Sequence, residues 1–245
     1  MTYSLYLILI YIVLALVKPT RRFALILLPW LLFACSYDWM RILPNWKVNP
    51  IDVRDIYETE KNLFGIVTTS GTLIPGEWFA MHHNTLGDII AGISYLSWVP
   101  VPLAFALYLF FTGREQWSLR FSFAFLTVNL VGFIGYYIHP AAPPWYVMKH
   151  GFDVVLDTPG DVGGLIRFDN LIGFPVFQSI YSGNSNVFAA VPSLHATYLM
   201  VATCYAWLTR QYPLTTVSFA LLCVGIWFTA VYSGHHYIID VLLGI

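Results

Sequence analysis

The chain has 245 residues, of which 58% are hydrophobic, 18% aromatic and only 10% charged. Twelve basic and thirteen acidic side chains cannot coat a globule of this size in water, where about a quarter of residues are normally charged. The apolar content excludes a disordered chain, three cysteines exclude a disulfide scaffold, and a net charge of -1 gives no pull towards nucleic acid.

What remains is an all-α, polytopic membrane helix bundle, read as one integral-membrane domain over 1–245. A membrane-spanning helix needs roughly 20 apolar residues, and six runs approach or meet that length. The first, Thr2 to Val17, is short, but no small-residue cleavage site follows it, so it reads as a span and not a removed signal peptide. The second runs from Phe23 to Leu43. A long connection, 44–88, follows. There Asn49 can cap a helix beginning at Pro50, with Asp52 in its first turn. Val53, Ile56, Tyr57, Leu63, Phe64 and Val67 then share one face and charges fill the other. That pattern predicts an interfacial amphipathic helix on the membrane surface. A solvated helix packed on the protein's own core would show the same pattern.

The third and fourth runs are Ile89 to Phe111 and Trp117 to Ile138. Next comes 139–186, rich in Gly, Pro and Asp, which reads as a long ordered loop. The fifth and sixth runs are Val187 to Leu208 and Leu214 to Tyr232. His236 to Ile245 is apolar but only about 15 Å long as a helix, half of a roughly 30 Å hydrocarbon core. The expectation is a last helix cut before it finishes.

Six alternating spans assign each loop to a face. The short loops 18–22, 112–120 and 209–213 carry Lys18, Arg21, Arg22, Arg114, Arg120 and Arg210 against one acid, Glu115. The positive-inside rule makes that face cytoplasmic. The two long connections and all seven histidines fall on the other, extracytoplasmic face, periplasmic or lumenal.

Three segments on that face carry the chemistry: "HPAAPPWYVMKHG" (139–151), "FAAVPSLHA" (188–196) and "YSGHHYIID" (232–240). His236 and Asp240 are four apart, on one face of a helix, so the carboxylate can hold one imidazole nitrogen and leave the other as nucleophile or base. Ionisable residues at a span end cost free energy, which favours a function for the pair. Ser193 suits a helix N-cap, where free backbone N–H groups bind phosphate beside His195. Lys149 is a candidate cation and Tyr146 a candidate wall of the site, as is Trp145; Arg167 reads as a solvated loop charge. His82 and Asp88 could bind headgroup hydroxyls or simply cap the third span. No Cys or Glu completes a zinc spacing with them, so no metal site is expected, and nothing calls for a cofactor.

Together these segments resemble the type 2 phosphatidic acid phosphatase superfamily. Its second motif, Pro-Ser-Gly-His, is similar to Pro192, Ser193, Leu194 and His195, and the His and Asp of its third motif match His236 and Asp240. The resemblance implies that His236 attacks phosphorus to form a phosphohistidine, that Asp240 orients it, and that His195 exchanges the proton with the leaving and accepting oxygens. Three clamping cations of the family are missing. Gly132 stands at the Lys of the first motif, His139 at its Arg, and Thr229-Ala230 where the third motif has Ser-Arg. His139 is then the positional substitute in headgroup binding.

Missing Arg clamps weaken the phosphatase reading. "PPWY", "VPSLHA" and "HHYIIDVLLG" resemble the inositol phosphorylceramide synthase (aureobasidin-target) branch. That branch implies transfer of a phosphoinositol headgroup from a phospholipid donor to a lipid alcohol such as ceramide. A lipid phosphate phosphatase using water, and a non-catalytic lipid-binding or transport protein, are the alternatives.

Overall fold

A computed structural model describes residues 2–245, with side chains from Ser4 onward. Helix α1 (Thr2–Leu16) turns through a short 3₁₀ segment into α2 (Arg21–Trp39), and the two pack together. Next come α3 (Arg54–Phe64), a hairpin of β1 (Ile66–Thr68) and β2 (Gly71–Leu73), and α4 (Pro75–Met81). The third predicted run is two helices, α5 (Thr85–Leu96) and α6 (Pro100–Phe111), bent by 44°. Pro100, at the start of α6, lacks the N–H that a continuous helix would use.

Helix α7 (Glu115–Ile138) leads into the long loop, which holds α8 (Pro144–His150), α9 (Ile166–Ile172) and α10 (Val176–Ser182). Helices α11 (Leu194–Leu208), α12 (Pro213–Tyr232) and α13 (Ile238–Gly244) complete the chain. α11 is central, packing on α6, α7, α12 and α13. An aromatic core, in which Trp30 of α2 stacks on Phe125 of α7 at 4.2 Å, joins it to α2 and α7.

The outer faces of these helices are apolar. Leu5, Leu9 and Val13 on α1, Val131, Ile134 and Ile138 on α7, and Val217, Leu221 and Val224 on α12 are all exposed. Stripes of this kind are at home in lipid and not in water. Lys18–Trp39, Glu115–Ile138 and Pro213–Tyr232 are long and apolar enough to cross a bilayer, and the bent α5–α6 pair is so only when its two helices are taken together. α1 and α11, at 15 residues each, fall short of the expected length. The fifth apolar run predicts a helix from Val187. Its first residues are extended instead, because their backbone groups pair with the segment around Ala141 and Pro192 stops the helix reaching back.

The predicted amphipathic helix exists but begins later and faces elsewhere. Asp52 caps it: its Oδ1 accepts from Asp55 N at 2.9 Å and Ile56 N at 3.2 Å, while Asn49 donates to Tyr137 O. Val53, Ile56 and Tyr57 pack on Ala141, Trp145 and Tyr237, so the apolar face is filled by the protein itself and not left for lipid. Leu63 is exposed, and Val67 lies in β1, off the helix.

Glu60 shares the buried face. Its carboxylate accepts from Ile238 N at 2.8 Å and Ile239 N at 3.2 Å, capping α13 from outside. Burial pushes the Glu60 carboxyl up, and the two amide donors pull it back. Glu60→Ala would leave two buried donors bare and is expected to destabilise the fold by at least about 1–3 kcal/mol. Thermal unfolding in detergent checks this; an unchanged midpoint would remove the strut role.

Candidate active site

Three extended pieces form a small layer over the helix ends. Asp52 N donates to Pro140 O, Ala142 N to Asp52 O, and Ala190 N to Ala141 O. The layer fixes the Ala190 carbonyl beside the turn that follows α12. Gly234 takes a left-handed conformation there (φ 73°), which a side chain would strain, and His235 N and His236 N both donate to Ala230 O. Asp240 Oδ2 accepts from Tyr237 N at 2.9 Å, closing the first turn of α13. Ser193 N donates to Asp240 O at 2.9 Å, which ties the start of α11 to α13.

These anchors bring three predicted residues into one chain of contacts. His236 Nδ1 lies 3.0 Å from Ala190 O and 3.4 Å from Asp240 Oδ2, while its Nε2 lies 3.2 Å from His195 Nδ1. A carbonyl can only accept, so Nδ1 carries the proton of neutral His236 and Nε2 keeps its lone pair. His195 Nδ1–H then donates to that lone pair. The imidazoles touch directly, so a phosphoryl group must part them to reach Nε2. Asp240 is fully buried and His236 nearly so. Among the described residues no carboxylate pairs with His195; its ring lies 4.8 Å from Tyr95 and 4.7 Å from Trp98.

The histidines open on a cavity of about 270 Å³. Its walls are mostly aromatic, and among the described residues no Lys, Arg, Asp or Glu lines it. His235 also lines it, donating through Nε2 to Asp161 O, with Ser233 Oγ at Nδ1. Burial, followed by the charge of His236, pushes His235 down to about 3, so it is neutral at physiological pH and supplies no cation.

The other sequence candidates, Trp145 apart, lie outside this cavity. Ser193 spends its N–H on Asp240, so that amide is not free for phosphate. His139 Nε2 sits 3.1 Å from Asp52 Oδ2, at the rim of the layer. Lys149 pairs with Asp161. Tyr146 pins the loop, donating to Asp153 O and accepting from Val155 N. His82 stacks on Trp78 at 4.4 Å. Asp88 binds Arg167 Nε at 2.7 Å and Tyr232 Oη at 2.9 Å. Arg167 is thus a half-buried ion-pair partner of Asp88 and not the solvated charge its loop suggested. Of the two predicted aromatic walls, Trp145 does line the cavity.

Residues 69–245 match the PAP2 superfamily, and with them the segment that holds the three contacting residues. The chain belongs to the PAP2 superfamily. It is 55% identical over 227 residues, 93% of this chain and 74% of the relative, to phosphoinositol dihydroceramide synthase of Bacteroides thetaiotaomicron. To the inositol phosphorylceramide synthase catalytic subunit AUR1 of Saccharomyces cerevisiae it is 30% identical over 233 residues, 93% of this chain and 55% of the relative. The inositol phosphorylceramide synthase of Candida albicans is 32% identical over 171 residues, 66% of this chain and 36% of the relative. The chain therefore spans about half or less of these fungal relatives. No solved structure gives a significant match.

Two departures from the superfamily motifs meet in space. A Cβ built on Gly132 would lie 2.4 Å from the Leu194 side chain. Leu194, in place of the motif glycine, therefore fills the volume beside the position where the motif lysine would stand. Leu194 in this position requires a glycine at 132. Gly132→Ala alone is expected to cost about 1–3 kcal/mol by overpacking. Gly132→Ala with Leu194→Ala should lose less than the two single costs added. A double-mutant cycle on thermal unfolding measures the coupling, and simple additivity would refute it.

Proposed function

We propose that this chain is a membrane phosphotransferase that moves a phosphoinositol headgroup from a phospholipid to a ceramide-type lipid alcohol through a phosphohistidine on His236. The observation that carries this is the contact chain Asp240–His236–His195 at a cavity lined, among the described residues, by no Lys or Arg. His236 Nε2 attacks phosphorus; the N–P bond forms as the bond to the diacylglycerol oxygen breaks. His195, entering the step as an imidazolium, gives its Nδ1 proton to that oxygen and is left as a neutral imidazole. The lipid alcohol then attacks phosphorus, its proton goes to His195, and the N–P bond breaks with the electron pair returning to Nε2. The aromatic walls suit the apolar parts of two lipids better than they suit water. The similarity to synthases of this type supports the choice of donor and acceptor.

In this reading α1, α2, the α5–α6 pair, α7, α11 and α12 make six crossings, with the site on the extracytoplasmic face. The basic short loops sit at the helix ends away from His195 and His236.

The experiment uses the purified chain in vesicles with phosphatidylinositol, labelled in the inositol ring, and dihydroceramide. Label should move to the sphingolipid with release of diacylglycerol. Free inositol phosphate formed despite the acceptor would make it a hydrolase. Binding without any product would make it a lipid-handling protein.

A further inference from the structure

The cavity wall contains hydrogen-bonding groups that the phosphoryl chemistry does not use. Tyr95 Oη and Asn186 Nδ2 are buried donors with no acceptor among the described residues; Tyr181 approaches Tyr95 Oη as a donor, which leaves the Tyr95 proton unpaired. Tyr95 and Asn186 both line the cavity, and they are only 1% and 7% exposed. The rest of Asn186 is committed: its Oδ1 accepts from Phe188 N at 3.0 Å and its N–H donates to Asn184 Oδ1. Asn184 Oδ1 also accepts from Tyr37 Oη at 2.7 Å, so the loop carrying Asn186 is fixed and its amide NH₂ has a set position. Arg41 Nε holds the same loop from outside through Ser185 Oγ.

A buried donor without an acceptor is costly, and a native fold that keeps one needs a reason. The chemistry of these donors is specific. They are neutral, and with no Lys or Arg on the wall a phosphate dianion would be poorly compensated there. A phosphodiester carries a single charge, and a polyhydroxylated headgroup offers the oxygens that Tyr95 and Asn186 lack. The position also fits, because the Tyr95 ring stacks beside His195, next to where the leaving oxygen would be protonated.

We propose that Tyr95 and Asn186 form a polyol subsite that binds the hydroxyls of the donor headgroup and selects a polyhydroxylated phosphodiester over a phosphomonoester. This rests on the phosphotransferase reading above and assigns its headgroup specificity to two residues.

The test uses the full chain in mixed micelles, with Tyr95→Phe as the main variant. That change keeps the ring stacked on His195 and removes only the hydroxyl. It is expected to raise KM for phosphatidylinositol about tenfold, with kcat within about threefold. The inhibition constant of phosphatidylpropanol, a phosphodiester lipid without headgroup hydroxyls, should stay unchanged. Thermal stability should fall little, since the hydroxyl gives up at most its contact with Tyr181. Asn186→Asp retains the acceptor for Phe188 N and removes the donor, and should raise KM for phosphatidylinositol at least as much.

Unchanged KM in both variants would overturn the subsite. So would a parallel rise in KM and in the phosphatidylpropanol constant for Tyr95→Phe, which would mean a distorted cavity. A wild-type chain that transfers no phosphoinositol would instead overturn the transferase reading itself.

Discussion

His236→Ala is expected to lose headgroup transfer by on the order of 10⁴-fold or more, because the lone pair proposed to attack phosphorus disappears with the ring. The proposed mechanism gives the nucleophile's part to His236 and not to His195. His236 Nδ1 is held by Ala190 O and Asp240, which leaves Nε2 unprotonated and facing His195 Nδ1. His195 carries its proton on the nitrogen that faces His236 and lies among aromatic rings. A labelled donor should leave acid-labile, alkali-stable label on the wild-type chain and none on His236→Ala. His195→Ala should be slower by roughly 10²–10⁴-fold, yet still able to take up label slowly. The His236 substitution also strips Ala190 O of its donor, at a cost of about 1–3 kcal/mol. Thermal unfolding run beside the assay separates that loss from the chemical one. Near-wild-type transfer by a folded His236→Ala protein would end the phosphohistidine mechanism.

How much of this is legible in the amino-acid sequence depends on the range over which each signal acts. The apolar runs are local and long, so each is visible along the chain, with boundaries displaced where proline intervenes at Pro100 and Pro192. The i, i+4 spacing of His236 and Asp240 is also local and marks both as a pair. His195 joins them only through resemblance and face alternation, since nothing local ties it to His236. The expected headgroup contacts fail for a common reason. Lys149, Asp88 and His139 stand out by charge and loop position, but each is answered by a partner distant in sequence or on another element: Asp161, Arg167 and Asp52. No pattern along the chain reveals such pairing. Ala190 acts through its backbone carbonyl, to which the identity of the side chain is blind.

Glu60 does carry a readable signal. It follows Val53, Ile56 and Tyr57 at helical spacing, so it interrupts the apolar stripe and does not belong to the charged face. A carboxylate in such a stripe needs a buried donor, and the first N–H groups of another helix are a ready source. Tyr95 and Asn186 carry no such signal, because their unpaired atoms become visible only when every neighbour is placed.

Asp240→Asn isolates the second largest effect, and the local hydrogen bonds determine what kind of effect it is. In many His–carboxylate pairs, replacing the acid with its amide turns the imidazole to the wrong tautomer. Here Ala190 O already fixes the proton on His236 Nδ1, and a carbonyl cannot donate in return. One oxygen, Oδ2, both accepts from Tyr237 N and faces His236, whereas Oδ1 has no partner among the described residues. An asparagine can therefore place its oxygen at the Oδ2 position and its NH₂ at the other, keeping the geometry and removing only the charge. What is lost is the buried negative charge that stabilises His236 as it becomes cationic on bonding to phosphorus. A loss of about 10²–10³-fold in kcat is expected, the size of a single preorganised electrostatic contact. KM for the donor should stay nearly constant, because the charge matters only once the N–P bond forms. Asp240→Ala also bares Tyr237 N–H and opens a cavity, so it should lose stability as well as rate. If Asp240→Asn loses as much as His236→Ala, Asp240 would have to control the tautomer, and the Ala190 carbonyl would not be the group that sets it.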